Sequence, residues 1–171
     1  MKALLVVDVL VDFIDPKGAL YIGQVAENVV SEVKSRLEIH RSESNPVFFI
    51  CDRHLEDDRE FELFPPHSIQ GTGGDAIVSE LAPRPNERVI DKRRFSAFFG
   101  TDLDLSLRDK EIEEIELVGV VTNICVLYTA ADARALGYRV SVPEKAVASF
   151  DEEAHHFALQ EMKKTLGVNM I

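Results

Sequence analysis

Three polar residues stand where apolar runs end, and their types could together carry nucleophilic acyl chemistry. Asp8 interrupts the run that begins Ala3-Leu4-Leu5-Val6-Val7, Lys92 stands two residues after Ile90, and Cys125 closes Val121-Thr122-Asn123-Ile124-Cys125. A carboxylate can serve as base, an ammonium can stabilise a thiolate, and the thiolate is the nucleophile. The segment ending at Cys125 puts the thiol in the first turn of a predicted helix, where unpaired N–H groups favour a thiolate and can receive the oxygen of a tetrahedral intermediate. Each residue also has a bland reading. Asp8 could be a carboxylate satisfied by loop amides, Lys92 a solvated loop residue, and Cys125 a small buried hydrophobe. Their joint placement at three strand ends favours the chemical reading. Cys51 lacks any helix-terminus argument and reads as a buried structural thiol.

A second group has the character of metal ligands. Asp52-Arg53-His54 sets a carboxylate and an imidazole two residues apart, and Glu60 and His67 follow in the same segment. A nitrogen and oxygen donor set without thiolate is compatible with zinc, manganese or iron. The alternative is a loop rich in these residues because it is solvated. His40, His155 and His156 fall on predicted helices and read as surface residues. Gly71-Thr72-Gly73-Gly74 lacks the lysine of a phosphate loop and reads as a turn.

The elements that must position these groups follow from hydrophobic patterning. Ala3 to Val7 and Val47 to Ile50 are continuous apolar runs, the mark of strands covered on both faces. Val25, Val29, Val33 and Leu37 recur at helical spacing between them. A long segment without clear periodicity runs from Asp52 to Gly74, a length that is usually functional in a compact domain. Beyond it the pattern predicts a short helix over 75–81, a strand over 88–90, a helix over 103–110 and a strand over 115–121. Thr122 then caps a helix over 123–136, and a strand over 138–142 and a helix over 151–166 follow, with a short edge strand at 168–171. This alternation predicts a single α/β domain over 1–171, with three α/β/α layers and a mainly parallel sheet of about six strands. The ligand site of such a fold lies beyond the carboxyl ends of the strands.

Composition narrows the partners. The chain has 171 residues, with 30 Asp and Glu against 19 Lys and Arg, a formal charge of −11 and 46% hydrophobic residues. That suits a globular domain and argues against nucleic acid, since Lys92-Arg93-Arg94 is the longest basic cluster. No apolar run approaches a membrane span, and an early charge spoils any signal peptide, so the chain reads as cytoplasmic. Two cysteines make no disulfide framework.

With these residues in view, the chain resembles the nicotinamidase/isochorismatase family of cysteine hydrolases over nearly its whole length. The carrying segments are Val6-Val7-Asp8-Val9-Leu10-Val11-Asp12-Phe13, Asp52-Arg53-His54, Leu63 to Thr72, Asp91 to Phe98 and Gly119 to Val126. The resemblance implies an isochorismatase-like fold of Rossmann-like topology and a triad of Asp8, Lys92 and Cys125. It implies an oxyanion hole from the amides of Val121 and Cys125, with a cis peptide between Val120 and Val121. Asp52, His54 and His67 match the metal ligands of the nicotinamidase branch, and Glu60 matches a fourth that is His in some members and Glu in others. Phe13, Phe64 and Phe99 are placed by the same comparison around the pyridine ring of the substrate. Leu10 departs from the pattern, since many members carry Gln there.

The implied activity is metal-assisted hydrolysis of nicotinamide to nicotinate and ammonia through a thioester, a step of NAD salvage, with one divalent ion, zinc foremost and manganese or iron as alternatives. A related amidase acting on another small amide such as pyrazinamide is the alternative within enzymes. A silent binding protein is the alternative outside them, and loss of a triad residue would mark it. The family also implies a homo-oligomer, a dimer or higher.

Overall fold

The computed structural model describes residues 1–171. Strands β1 (Lys2–Val7), β2 (Val47–Asp52), β3 (Arg88–Lys92), β4 (Glu114–Val120), β5 (Arg139–Val142), β6 (Val147–Ala148) and β7 (Asn169–Met170) build one sheet. The order is β3-β2-β1-β4-β5-β7, with β6 alongside β4, and every pairing between these strands is parallel. Five helices accompany it: α1 (Val11–Ile14), α2 (Val25–Ser42), α3 (Leu103–Arg108), α4 (Leu127–Ala135) and α5 (Glu152–Lys164). The layered, mainly parallel fold expected from the alternation is present. The seventh strand is β6, whose two residues are too few for any periodicity.

The continuous apolar runs arise because the sheet is covered on both faces. Side chains alternate across a strand, so Leu4 and Val6 of β1 join Val29, Val33 and Leu37 of α2 in one core. Leu5 and Val7 point the other way and meet Leu103 and Leu107 of α3, Ala130 of α4 and Met162 of α5. Gly119 of β4, at φ 115°, lies opposite Val7, where an added Cβ would stand 2.0 Å from the Val7 carbonyl oxygen. The central pair therefore packs too closely for any side chain there.

Local differences from the expected elements have physical reasons. Only Ser79–Leu81 coils in the segment 75–81. Ile77 instead bridges Leu10 in antiparallel sense, with Val11 N–H donating to the Ala76 carbonyl at 2.9 Å and Val78 N–H to the Val9 carbonyl at 3.2 Å. These bonds use the backbone groups a helix would need. Strand β3 extends to Lys92, which is its last residue rather than a loop residue. Thr122 does not cap a helix. The cap position falls on Val121, and residues Thr122–Val126 form a π-type turn before α4.

His40 is buried, contrary to its expected surface position, because it continues the apolar stripe of α2 three residues after Leu37. It faces Glu116 of β4, also fully buried, at 3.4 Å. Arg36 donates to both oxygens of that carboxylate at 2.6 and 2.7 Å, and Lys2 lies 2.9 Å away. Burial opposes ionisation of Glu116, but His40, Arg36 and Lys2 outweigh it and hold the carboxyl well below its ordinary 4.5. A depressed folded-state value means that the ionised form stabilises the fold above pH 4.5 and that this contribution is lost as pH falls below it. Glu116→Gln is expected to lose about 3 kcal/mol at neutral pH, and to lose less further stability than the unmodified protein on acidification. Urea midpoints at pH 7 and pH 4 read both effects.

Candidate active site and metal centre

The strands diverge on either side of β1 and β4, and the carboxyl ends around that switch point gather the polar residues. Asp8 follows β1, Asp52 and Lys92 end β2 and β3 in direct register, and Cys125 lies in the turn after β4. In-register residues of parallel neighbours share a face, so the Asp52 carboxylate and the Lys92 ammonium meet at 2.5 Å. Lys92 Nζ is also 2.8 Å from Asp8 Oδ2, an ion pair whose angle lies outside a hydrogen bond, and it donates to Cys125 Sγ at 3.4 Å. Asp8, at φ 49°, turns its other oxygen back to accept the Asp52 N–H at 2.7 Å. Asp8, Asp52 and Cys125 present donor atoms within 4.8 Å of one another.

All four side chains are buried, so their charges act through little water. Burial and the Asp52 charge push Asp8 up to about 6 even though Lys92 pulls it down. Burial opposes the charge of Lys92, but Asp52 and Asp8 more than compensate and hold it well above 10.5. Burial also pushes the Cys125 thiol well above 9.0, with Asp8 and Asp52 adding to it and Lys92 opposing. Burial first, and the two carboxylates after it, thus outweigh the tendency of the helix turn to favour a thiolate. Cys125 rests as a thiol beside a carboxylate able to take its proton. Cys51 is buried in the opposite core, as a structural thiol should be.

Asp52 has a second use. Its Oδ2 lies 3.7 Å from the Nε2 atoms of both His54 and His67, and Glu60 Oε1 lies 3.7 Å from His54 Nε2. These four buried residues offer donor atoms within 4.8 Å of one another. The outward nitrogens are already engaged, His54 Nδ1 with Asp58 at 3.2 Å and His67 Nδ1 donating to the Pro65 carbonyl at 2.8 Å. Each ring thereby turns Nε2 to the centre, and His54 Nε2 and Glu60 Oε2 are buried without a hydrogen-bond partner. Burial and Asp52 raise the Glu60 carboxyl; burial would lower His54, but Asp52, Asp58 and Glu60 raise it. Part of the Glu60 shift and all of the rise at His54 come from neighbouring carboxylates, negative charge of the kind a divalent cation neutralises. The donor set, its orientation and its charge all fit one divalent ion held by Asp52, His54, Glu60 and His67.

Backbone pairing assembles these ligands from the long loop. His54 bridges Ile69 in parallel sense, its N–H donating to the Ser68 carbonyl at 3.0 Å, which carries His67 alongside. Asp12 Oδ2 accepts the Ser68 N–H at 2.7 Å and ties the strip to the chain after β1. Asp58 was not singled out in the sequence. It accepts from the Glu60 N–H at 3.1 Å and from Arg93 and Arg94 at 2.9 Å each. The basic doublet after Lys92 was the available signal, since a paired cation cluster needs a carboxylate.

A cavity of about 20 Å³, room for roughly one water, lies between thiol and metal donors, lined by Phe13, Leu20, Phe64, Phe95, Val121, Ile124, Cys125 and Phe150 beside Asp52, Glu60 and His67. Phe13 and Phe64, two of the three rings expected around the substrate, line this cavity. Phe99 does not: it is 65% exposed in a shallow surface hollow with Tyr128, and Phe95 occupies the cavity wall instead. The turn after β3 aims only the first of these rings inward. Val121 and Cys125 both reach the cavity, and the Val120–Val121 peptide is cis. A larger cavity of about 700 Å³ lies between α2 and the start of α5. It contains none of the triad or metal-donor residues.

The isochorismatase domain profile matches residues 2–170. The chain belongs to the isochorismatase family. The crystal structure of pyrazinamidase/nicotinamidase from Streptococcus mutans UA159 is 38% identical with a TM-score of 0.95 over 100% of both chains. Nicotinamidase PncA from Bacillus subtilis is 38% identical with a TM-score of 0.94, over 99% of this chain and 98% of that one. The pyrazinamidase of Pyrococcus horikoshii in complex with zinc is 29% identical with a TM-score of 0.93, over 99% and 98%. The protein is accordingly a hydrolase of the nicotinamidase/pyrazinamidase type, acting on amide bonds, and no helix is long and apolar enough to cross a membrane. Asp58→Ala is expected to weaken the binding of an added divalent cation about 10- to 100-fold, because His54 Nδ1 loses its acceptor. Competition with a chromogenic chelator measures it, and wild-type affinity in the variant would remove Asp58 from the metal site.

Proposed function

We propose that the protein hydrolyses nicotinamide to nicotinate and ammonia, using Asp8, Lys92 and Cys125 on the amide and the Asp52, His54, Glu60 and His67 cluster for a zinc ion. One observation carries the reading. Asp52 touches the Lys92 ammonium with one oxygen and faces both metal-side imidazoles with the other, so thiol and metal donors stand at two ends of one small aromatic cavity.

The carboxamide carbon meets Cys125 while Asp8 takes the thiol proton, and Lys92 steadies the thiolate. The amides of Val121 and Cys125 hold the oxygen of the tetrahedral adduct. Asp8 returns the proton to the leaving nitrogen as ammonia departs, leaving a Cys125 thioester. Asp8 then takes a proton from water, the resulting hydroxide adds to the thioester carbon, and the Cys125 thiolate leaves and recovers its proton from Asp8. The metal ion, when bound, supplies a Lewis acid to which a ring nitrogen coordinates, and the aromatic walls hold the ring flat. Pyrazinamide has a nitrogen in the same relation to its carboxamide and fits the same arrangement. The reaction returns nicotinamide released from NAD to a form that can be reused.

Ammonia release from nicotinamide tests the reading. Cys125→Ala should reduce kcat at least about a thousandfold, while His54→Ala should chiefly raise KM, by about 10-fold or more. Benzamide, which lacks the ring nitrogen, should be turned over poorly by metal-replete protein. Absence of nicotinamide turnover in zinc-replete protein would overturn the substrate assignment, and full activity of Cys125→Ala would overturn the nucleophile.

A further inference from the structure

The turn that carries Cys125 is braced from behind by side chains the reaction scheme does not use. Thr122 and Asn123, just beyond the Val120–Val121 bond, both reach the start of α5. Thr122 Oγ1 lies 2.9 Å from His155 Nδ1, and Asn123 Oδ1 accepts from Ser149 Oγ at 2.7 Å. Ser149 Oγ in turn accepts the Asp151 N–H at 3.1 Å, and Asp151 caps α5 by accepting the Ala154 N–H at 2.9 Å. Thr122 is fully buried, whereas His155, expected at the surface, is half-buried in the wall of the 700 Å³ cavity; His156 beside it is exposed as expected. The turn has no side-chain cap of its own at Val121. These tertiary bonds therefore add to the backbone bonds that the Val121 carbonyl accepts from Ile124 and Val126 within the turn.

We propose that His155 is a positioning residue, whose Nδ1 bond to Thr122 fixes the Val121–Cys125 turn so that the two amides and the thiol meet a carbonyl group in one geometry. The inference rests on the acyl-transfer part of the proposed function, not on nicotinamide as substrate. His155 lines only the rear cavity, so it acts through Thr122 and touches no reacting atom. Burial and the neighbouring His156 lower the basicity of the ring, so a neutral imidazole with one donor and one acceptor meets the hydroxyl. Displacement of a positioned group by a fraction of a bond length is costly in acyl transfer, because the oxyanion donors must meet the oxygen as charge develops.

The test separates the chemistry that uses the amides from chemistry that uses only the thiol. Zinc-replete wild type, His155→Ala, His155→Asn, His155→Gln and Thr122→Val are compared in two reactions of Cys125: acylation by 4-nitrophenyl acetate and alkylation by iodoacetamide. Cys125→Ala sets the background, and thermal melting is followed in parallel. His155→Ala and Thr122→Val should slow acylation at least about tenfold while alkylation stays within about twofold, since alkylation develops no oxyanion. Asn, whose amide falls near the Nδ1 position, should restore most of the acylation rate, and Gln, whose amide falls near Nε2, should not. A variant that combines His155→Ala with Thr122→Val should be no slower than the slower single one. Wild-type acylation in His155→Ala or in Thr122→Val would overturn the proposal. So would equal losses in both reactions that Asn does not repair, or a wild type that is acylated no faster than Cys125→Ala. Wild type that is acylated by the ester yet leaves nicotinamide intact would overturn the substrate assignment alone and leave the role of His155 standing.

Discussion

A lysine ammonium with no exposed surface is the constraint around which the molecule is arranged. An isolated buried ammonium costs several kcal/mol, and Lys92 offsets this with two carboxylates, Asp52 at the end of β2 at 2.5 Å and Asp8 just after β1 at 2.8 Å. Burial of the neighbouring thiol, together with the two carboxylates, outweighs the cation 3.4 Å away and pushes the thiol well above its ordinary value. The site thus stores its nucleophile as a thiol and its base as a carboxylate, with a fixed cation between them. The same pairs fasten the carboxyl ends of β1, β2 and β3 to one another, so the arrangement that prepares the chemistry also closes that end of the sheet.

Asp52 extends this constraint into the loop between β2 and β3. With Oδ1 committed to Lys92, Oδ2 is left to face the imidazoles, and its direction is set by the strand register rather than by the loop. The remaining donors are then brought to it by backbone pairing of His54 with Ile69 and by Asp12 and Asp58, which hold the two ends of the strip. Arg93 and Arg94, adjacent to Lys92, complete the circuit by binding Asp58. The loop is long, but it is tied to β1 and β3 at several points. Its length provides reach around the cavity rather than freedom.

Much of this was legible in the chain because a parallel sheet collects whatever follows its strands at one edge. Asp8 and Cys125 could be placed from apolar runs and the residues that end them, and the four residues spaced from Asp52 to His67 do lie together. What could not be read depends on register or on backbone direction. The Asp52–Lys92 contact needs the alignment of β2 with β3, which neither run specifies. Asp58 is one acid among Glu56, Asp57 and Asp58, distinguished only by the arginines that reach it. Phe95 and Phe99 are equivalent as sequence, and the turn between them decides which faces the cavity. His40 is different, since its place on the stripe of Val29, Val33 and Leu37 was visible and only its polarity argued for the surface; Glu116 on the facing strand supplies the partner that reverses that argument.

The shape of the reaction cavity follows from the same economy of position. Phe13 and Phe64 both meet the His67 ring edge-on, at 5.6 and 6.4 Å, and Phe95 meets Phe64 at 6.0 Å. Aromatic rings held by one another leave a narrow slot with room for about one water, so a flat ring enters only as these walls part. The slot has polar groups at its two ends, the thiol and amides at one and the imidazoles and carboxylates at the other. Under the nicotinamide reading the acyl carbon meets the thiol and the ring nitrogen meets the metal donors, so a bulky or flexible amide loses one end or the other. Under the nicotinamide reading, selectivity comes from this spacing, fixed by Asp52 between the two ends, more than from any contact along the apolar walls.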